Sequence, residues 1–120
     1  MRTPYGDLLA EVMRMPGVRG ALVVAVRDGL VVDGRVHVGV EGEAVAALAA
    51  SLYRRACRAT GAAEGKGRFV ELEADGGRIM IAGKNDLAMM AVLQRRANAG
   101  QARVAVQRAA DELAALEGQA

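Results

Sequence analysis

The side chains in this sequence that could carry chemistry are few, and their spacing argues against most reactions. His37 is the one histidine and Cys57 the one cysteine. A lone histidine lacks the companions that a metal cluster or a nucleophile pair requires, so a surface or edge-strand place is expected for His37. Cys57 falls in a strongly helical stretch at helical spacing from Ala50 and Arg54. Its expected role is that of a small buried or interface residue, since a reactive thiol needs a perturbed environment. The segment Gly61-Ala62-Ala63-Glu64-Gly65-Lys66-Gly67 has the look of a phosphate loop. It has three residues instead of four between its first glycines, lacks the Ser/Thr that follows the lysine, and lies between a helix and a strand in the wrong order. It reads as a connecting loop, and no nucleotide is expected to bind. Glu71 and Glu73 would sit on one face of a strand about 7 Å apart, with Asp75 just beyond. Without partner groups they read as a solvated sheet face. Arg54, Arg55 and Arg58 favour the C-terminal end of a helix and offer a basic surface to an acidic partner, to which Arg95 and Arg96 can add. No catalytic residue, cofactor or metal ligand is expected.

The elements that position these residues follow from periodicity and turn chemistry. Thr3 and Pro4 predict the start of a helix whose buried face is Tyr5, Leu8, Leu9, Val12 and Met13, stopped by Pro16-Gly17. Val18 to Val26 is apolar on both faces, as a covered strand is, and Asp28-Gly29 predicts a tight hairpin returning through Leu30-Val31-Val32. Arg35 to Gly42 reads mostly as loop. Ala44 to Ala59 is the longest helix, with Val45, Leu48, Leu52 and Ala56 as its main stripe. A second stripe, Ala47, Ala50, Arg54 and Cys57, is small enough for another helix to approach. Arg68 to Ala74 alternates as a strand, with Val70 and Leu72 on one face and Phe69, Glu71 and Glu73 on the other. Asp75-Gly76-Gly77 turns the chain into a strand through Ile79 to Ala82, and Leu87 to Leu93 is a fifth strand. Asn98 caps a last helix that buries Ala102, Val106, Ala109, Ala110, Leu113 and Leu116 and ends at Gly118. The order α-β-β-α-β-β-β-α gives an α/β (α+β) sandwich with a five-stranded antiparallel sheet.

Composition sets the outer bounds. A chain of 120 residues allows one domain, 1–120, with one core. Of its residues 52% are hydrophobic, yet only 2% are aromatic and 25 are alanine. Small side chains bury little area each, so close helix packing or association with a second copy is expected to make up the difference. No apolar run approaches a membrane-spanning length. The start of the chain enters an amphipathic pattern without a signal region, and one cysteine cannot form an internal disulfide, so a cytoplasmic protein is expected. The formal charge is only +2 and the arginines are dispersed, which argues against nucleic acid as a partner. Met80, Met89 and Met90 could line an apolar pocket for a small ligand, although core filling is the commoner role of such residues.

Four segments in order resemble the roadblock / dynein light chain family, whose bacterial branch includes regulators of Ras-like gliding-motility GTPases. They are Met15-Pro16-Gly17-Val18-Arg19-Gly20-Ala21, Asp28-Gly29-Leu30-Val31-Val32, Ala44 to Leu52, and Ala97-Asn98-Ala99-Gly100. The resemblance implies a profilin-like roadblock fold, with the second helix on one side of the sheet and the terminal helices on the other. It also implies a homodimer with sheets joined edge to edge and second helices paired, acting as a non-enzymatic adaptor for a Ras-like small GTPase or as a scaffold subunit. Ala47, Ala50, Ser51, Arg54, Arg55, Cys57 and Arg58 are then the candidate dimer or partner surface. No residue stands out as an arginine finger.

Overall fold

A computed structural model describes residues 3–61 and 68–118. Three helices and five strands follow the order read from the sequence: α1 (Gly6–Met13), β1 (Val18–Ala25), β2 (Val31–Val36), α2 (Gly42–Ala59), β3 (Arg68–Ala74), β4 (Gly77–Gly83), β5 (Leu87–Leu93) and α3 (Ala99–Gly118). The strands form one antiparallel sheet in the order β2-β1-β5-β4-β3. Chain neighbours pair as hairpins, and the single non-local pairing joins β1 to β5 at its centre. No helix among the described residues is long and apolar enough to cross a membrane.

The period-2 alternation of the central strands sorts their side chains into two cores. Ala21, Val23, Met80, Ala82, Met89, Ala91 and Leu93 point to the side covered by α1 and α3, where they meet Leu9, Val12, Val106 and Leu113. Leu22, Val24, Ile81, Ala88 and Met90 point to the other side, under Ala46, Ala49, Ala50 and Tyr53 of α2. The three methionines are fully buried, and the sheet separates Met80 and Met89 from Met90. They fill two cores and line no common pocket.

Several element boundaries move from those read in the sequence. Thr3 does not cap α1: its hydroxyl donates to the Asp33 carboxylate, and Tyr5 takes the cap position. The β1–β2 connection is longer than a two-residue turn, closing through Gly29 N–H to Ala25 O at 2.8 Å and Ala25 N–H to Leu30 O at 2.9 Å. β2 runs on to Val36 through residues assigned to loop, because Arg35 and Val36 complete the ladder against Ala21 and Gly20. Asn98 does cap α3, its Oδ1 accepting from Gln101 N–H at 3.0 Å.

The largest correction concerns which way α2 faces. Its buried residues are Ala46, Ala49, Ala50 and Tyr53, whereas Leu48 is 49% exposed. Of the expected stripe Val45 packs on this core, while the small side chains of Ala46, Ala49 and Ala50 and the Tyr53 ring lie against the sheet. Gly29, at φ +76°, brings the β1–β2 turn against the same helix, where an added Cβ would lie 3.1 Å from Ala47 Cα and 3.5 Å from Ala50 Cβ. Alanine on that flank is what leaves room for a backbone turn.

Candidate functional site

Placed on this fold, the small stripe expected to receive another helix is covered by the chain itself at Ala50, while Ala47 stays exposed. Ala47 and Ala50 receive the Gly29 turn, and Ala50 is fully buried. Arg54 Nη1 donates to the Val26 carbonyl oxygen at 2.6 Å, which holds the start of the same connection. Cys57, half-buried, packs on the α2-side core. Next to it Tyr53 Oη donates to Gly83 O at 3.0 Å inside that core, and burial pushes its phenol up to about 12. Ser51, Arg55 and Arg58, with Ala47 above its contact with Gly29, are what remains of the candidate set on the outward side of α2. Leu48 and Leu52, read as core, join them there; the missed signal was the glycine turn, whose partner stripe must be small.

The basic residues do not form one surface. Arg54, Arg55 and Arg58 lie toward the end of α2 that reaches Gly83, and Arg68 stands opposite Gly83 in the ladder. Arg95 and Arg96 follow β5 at the opposite end of the sheet, in a turn pinned by Gln94 N–H to Gly17 O at 2.8 Å. There Gly17, at φ +86°, lies so near Ala97 that an added Cβ would come within 2.5 Å of Ala97 Cβ. His37 is exposed in the loop after β2, its N–H donating to Arg19 O at 2.8 Å. The Gly61–Gly67 loop lies outside the described residues, apart from Gly61.

Glu71 and Glu73 are not simply solvated. Arg78 of β4 lies 3.6 Å from Glu71 and 3.4 Å from Glu73 on the α3 side of the sheet. On that side Phe69 packs on the core, with the Arg103 guanidinium 4.4 Å above its ring centroid. A shallow recess of 290 Å³ lies nearby, lined by Arg68, Phe69, Lys84, Gln107 and Asp111, with Lys84 paired to Asp111 at 3.0 Å. Among the described residues no group of His, Cys, Asp or Glu is arranged to hold a metal ion. The chemically distinctive surface is therefore the outward side of α2 together with the adjoining sheet edge. β3 is the terminal strand there, and its outer edge carries no pairing partner among the described residues. On the α2 side of that edge Leu72, Ile79 and Val92 stand opposite one another across β3, β4 and β5, each partly exposed.

This arrangement, a five-stranded antiparallel sheet between one long helix and a pair of terminal helices, is a roadblock fold. The sequence model of the Roadblock/LC7 domain matches residues 4–94, and the chain belongs to that family. An uncharacterized protein of Methanocaldococcus jannaschii is 28% identical over 111 residues, covering 91% of this chain and 96% of its own. Among solved structures, the gliding protein MglB of Thermus thermophilus superposes with a TM-score of 0.80 at 16% identity, covering 100% of this chain and 96% of that one. An MglB with a tetrameric arrangement gives 0.82 at 18% identity, over 99% of this chain and 94% of its own. A Roadblock/LC7 domain of Streptomyces avermitilis gives 0.75 at 21% identity, over 92% and 94%. At such identities the likeness is one of fold.

Proposed function

We propose that the chain is a single domain, 1–120, that forms a homodimer and serves as a non-enzymatic cytoplasmic adaptor, binding a Ras-like small GTPase and modulating its nucleotide cycle or its location. The observation that carries this reading is the unpartnered β3 edge beside an outward α2 face that exposes Leu48 and the row at Leu72. A regular strand edge flanked by apolar surface is a template for a second chain. The two edges of this sheet are not equivalent. β2 is interrupted by an irregularity between Val23 and Val24 of its partner strand, and Thr3 is tied to its Asp33. β3 runs without a bulge along β4 and presents no such guard among the described residues.

Family membership and the fold likeness to MglB support the GTPase as partner. The basic Arg55 and Arg58 at the end of the exposed α2 face add a positive field for an acidic surface on it. With no catalytic constellation among its described residues, the adaptor would act on hydrolysis by repositioning the GTPase's own groups, because positioning and electrostatics supply most phosphoryl-transfer catalysis. The test is a pull-down with a Ras-like small GTPase loaded with GDP or a non-hydrolysable GTP analogue. Retention in the analogue state alone is the expected result. Retention in neither state, with an unrelated protein co-purifying, overturns it in favour of a scaffold subunit.

A further inference from the structure

The α3 side of β3 is charged unevenly within one copy. Phe69, Glu71 and Glu73 alternate along it, and the two carboxylates share the single guanidinium of Arg78. Arg78 Nε is itself buried without a hydrogen-bond partner. At the Phe69 end stands a second guanidinium, Arg103, stacked on the ring and facing no carboxylate within its own chain among the described residues. The edge thus has a surplus of negative charge at one end and of positive charge at the other.

A second copy turned by a two-fold axis normal to the sheet meets this edge antiparallel, and its opposed residues must share a face, which restricts the register to steps of two. The register centred on Glu71 uses the whole strand. It sets Val70 opposite Leu72 on the α2 side and Phe69 opposite Glu73 on the α3 side. Moving one step toward Leu72 shortens the ladder and sets Glu71 against Glu73 with no cation gained. Moving one step toward Val70 leaves Glu73 beyond the end of the ladder. Resting on the homodimer reading above, we propose that the β3 edges of two copies pair in the register centred on Glu71, so that Arg103 of each copy, held over its own Phe69, faces Glu73 of the other. The facing Glu71 carboxylates are each held by their own Arg78. Across the seam Glu71 and Glu73 of both copies are then matched in number by Arg78 and Arg103 of both copies. Parallel pairing would set like charges side by side, so the charge pattern also fixes the direction of association.

The test exploits the fact that each contact occurs twice. Arg103→Glu and Glu73→Arg are made singly, together, and as a mixture of the two single variants, and followed by sedimentation equilibrium with circular dichroism to confirm folding. Each single variant is expected to weaken its homodimer about tenfold or more, since an interfacial charge pair is replaced by repulsion at both ends of the seam. The double variant and the mixture are expected to regain wild-type affinity, the mixture as a heterodimer visible by native mass spectrometry. Single variants that associate as tightly as wild type, or a mixture no tighter than its components, overturn the register and leave the homodimer standing. A wild-type chain that stays monomeric overturns the homodimer itself. Should Glu73→Arg fail to fold, a double-mutant cycle with Glu73→Gln and Arg103→Gln reads the same coupling, and an additive cycle contradicts it.

Discussion

Asp33 on edge strand β2 and Glu117 near the end of α3 are carboxylates whose surroundings push them in opposite directions. The Thr3 hydroxyl beside Asp33, aided by the Gly34 N–H at 2.8 Å and the Arg35 guanidinium at 3.1 Å, holds its carboxyl below the ordinary 3.8. A carboxyl with a depressed folded value contributes stability above its unfolded value, and that contribution is lost as pH falls through the folded one. Asp33→Asn should therefore be less stable than wild type at neutral pH, and the difference should shrink as the pH falls through the folded value of Asp33, as urea melts across pH will show. Burial pushes Glu117 up from 4.5, and its Oε1 is buried without a partner while Oε2 accepts from Asp86 N–H at 3.2 Å. Here the sign reverses: the folded state gains relative stability as pH falls through the raised value. Glu117→Gln keeps an acceptor for Asp86 without the buried charge and should be at least as stable as wild type at pH 7. Tyr53→Phe removes the hydroxyl that reaches Gly83 O and should cost about 1 kcal/mol in the same melts.

α2 shows how an element can be foreseen and still be turned the wrong way. Its existence followed from helix formers between Ala44 and Ala59, and the structure extends it only to Gly42. Its facing was not readable from side-chain size, because in an alanine-rich helix almost every stripe is apolar. A contact remote in sequence contributes, the Gly29 turn, which lies against the Ala47 backbone and the small Ala50 side chain, while Leu48 points outward. Gly29→Ala should destabilise the fold by about 1–2 kcal/mol, through its left-handed backbone and the approach to Ala47; chemical denaturation reads the change, and an unaltered midpoint would contradict the packing described. Strands fared better because their signals are local: the alternation of Arg68 to Ala74 and the turn at Asp75-Gly76 place β3 and β4 as read. What no local signal carries is the strand order, in which β5 inserts between β1 and β4 and leaves β3 at the edge. The carboxylates of β3 read as a wet face because alternation gives the side of the sheet and not the partner, which is Arg78, opposite Glu73 in the hairpin. Arg95 and Arg96 were joined to the wrong basic group because the strand order was not legible.

At the scale of the molecule, a chain with 25 alanines and hardly any aromatics folds into two thin cores on either side of one sheet. Its composition called for close packing or a second copy. The alanines of α2 answer the first need inside the chain, and under the proposal above the free β3 edge, with Leu72 exposed on it, is where a second copy would meet the other. Substituting Leu72→Lys on the edge should shift the chain toward monomer in sedimentation while leaving its circular dichroism unchanged, since Leu72 is 37% exposed in the single copy. In the function proposed above, two copies form one adaptor for a nucleotide-loaded GTPase. Sedimentation velocity of the chain alone, and with a Ras-like small GTPase in its GDP and GTP-analogue forms, measures both halves of it. The predicted result is a particle of twice 12.5 kDa that gains mass with the analogue-loaded GTPase and not with the GDP form; a 12.5 kDa species at every concentration, or no added mass in either nucleotide state, would contradict it.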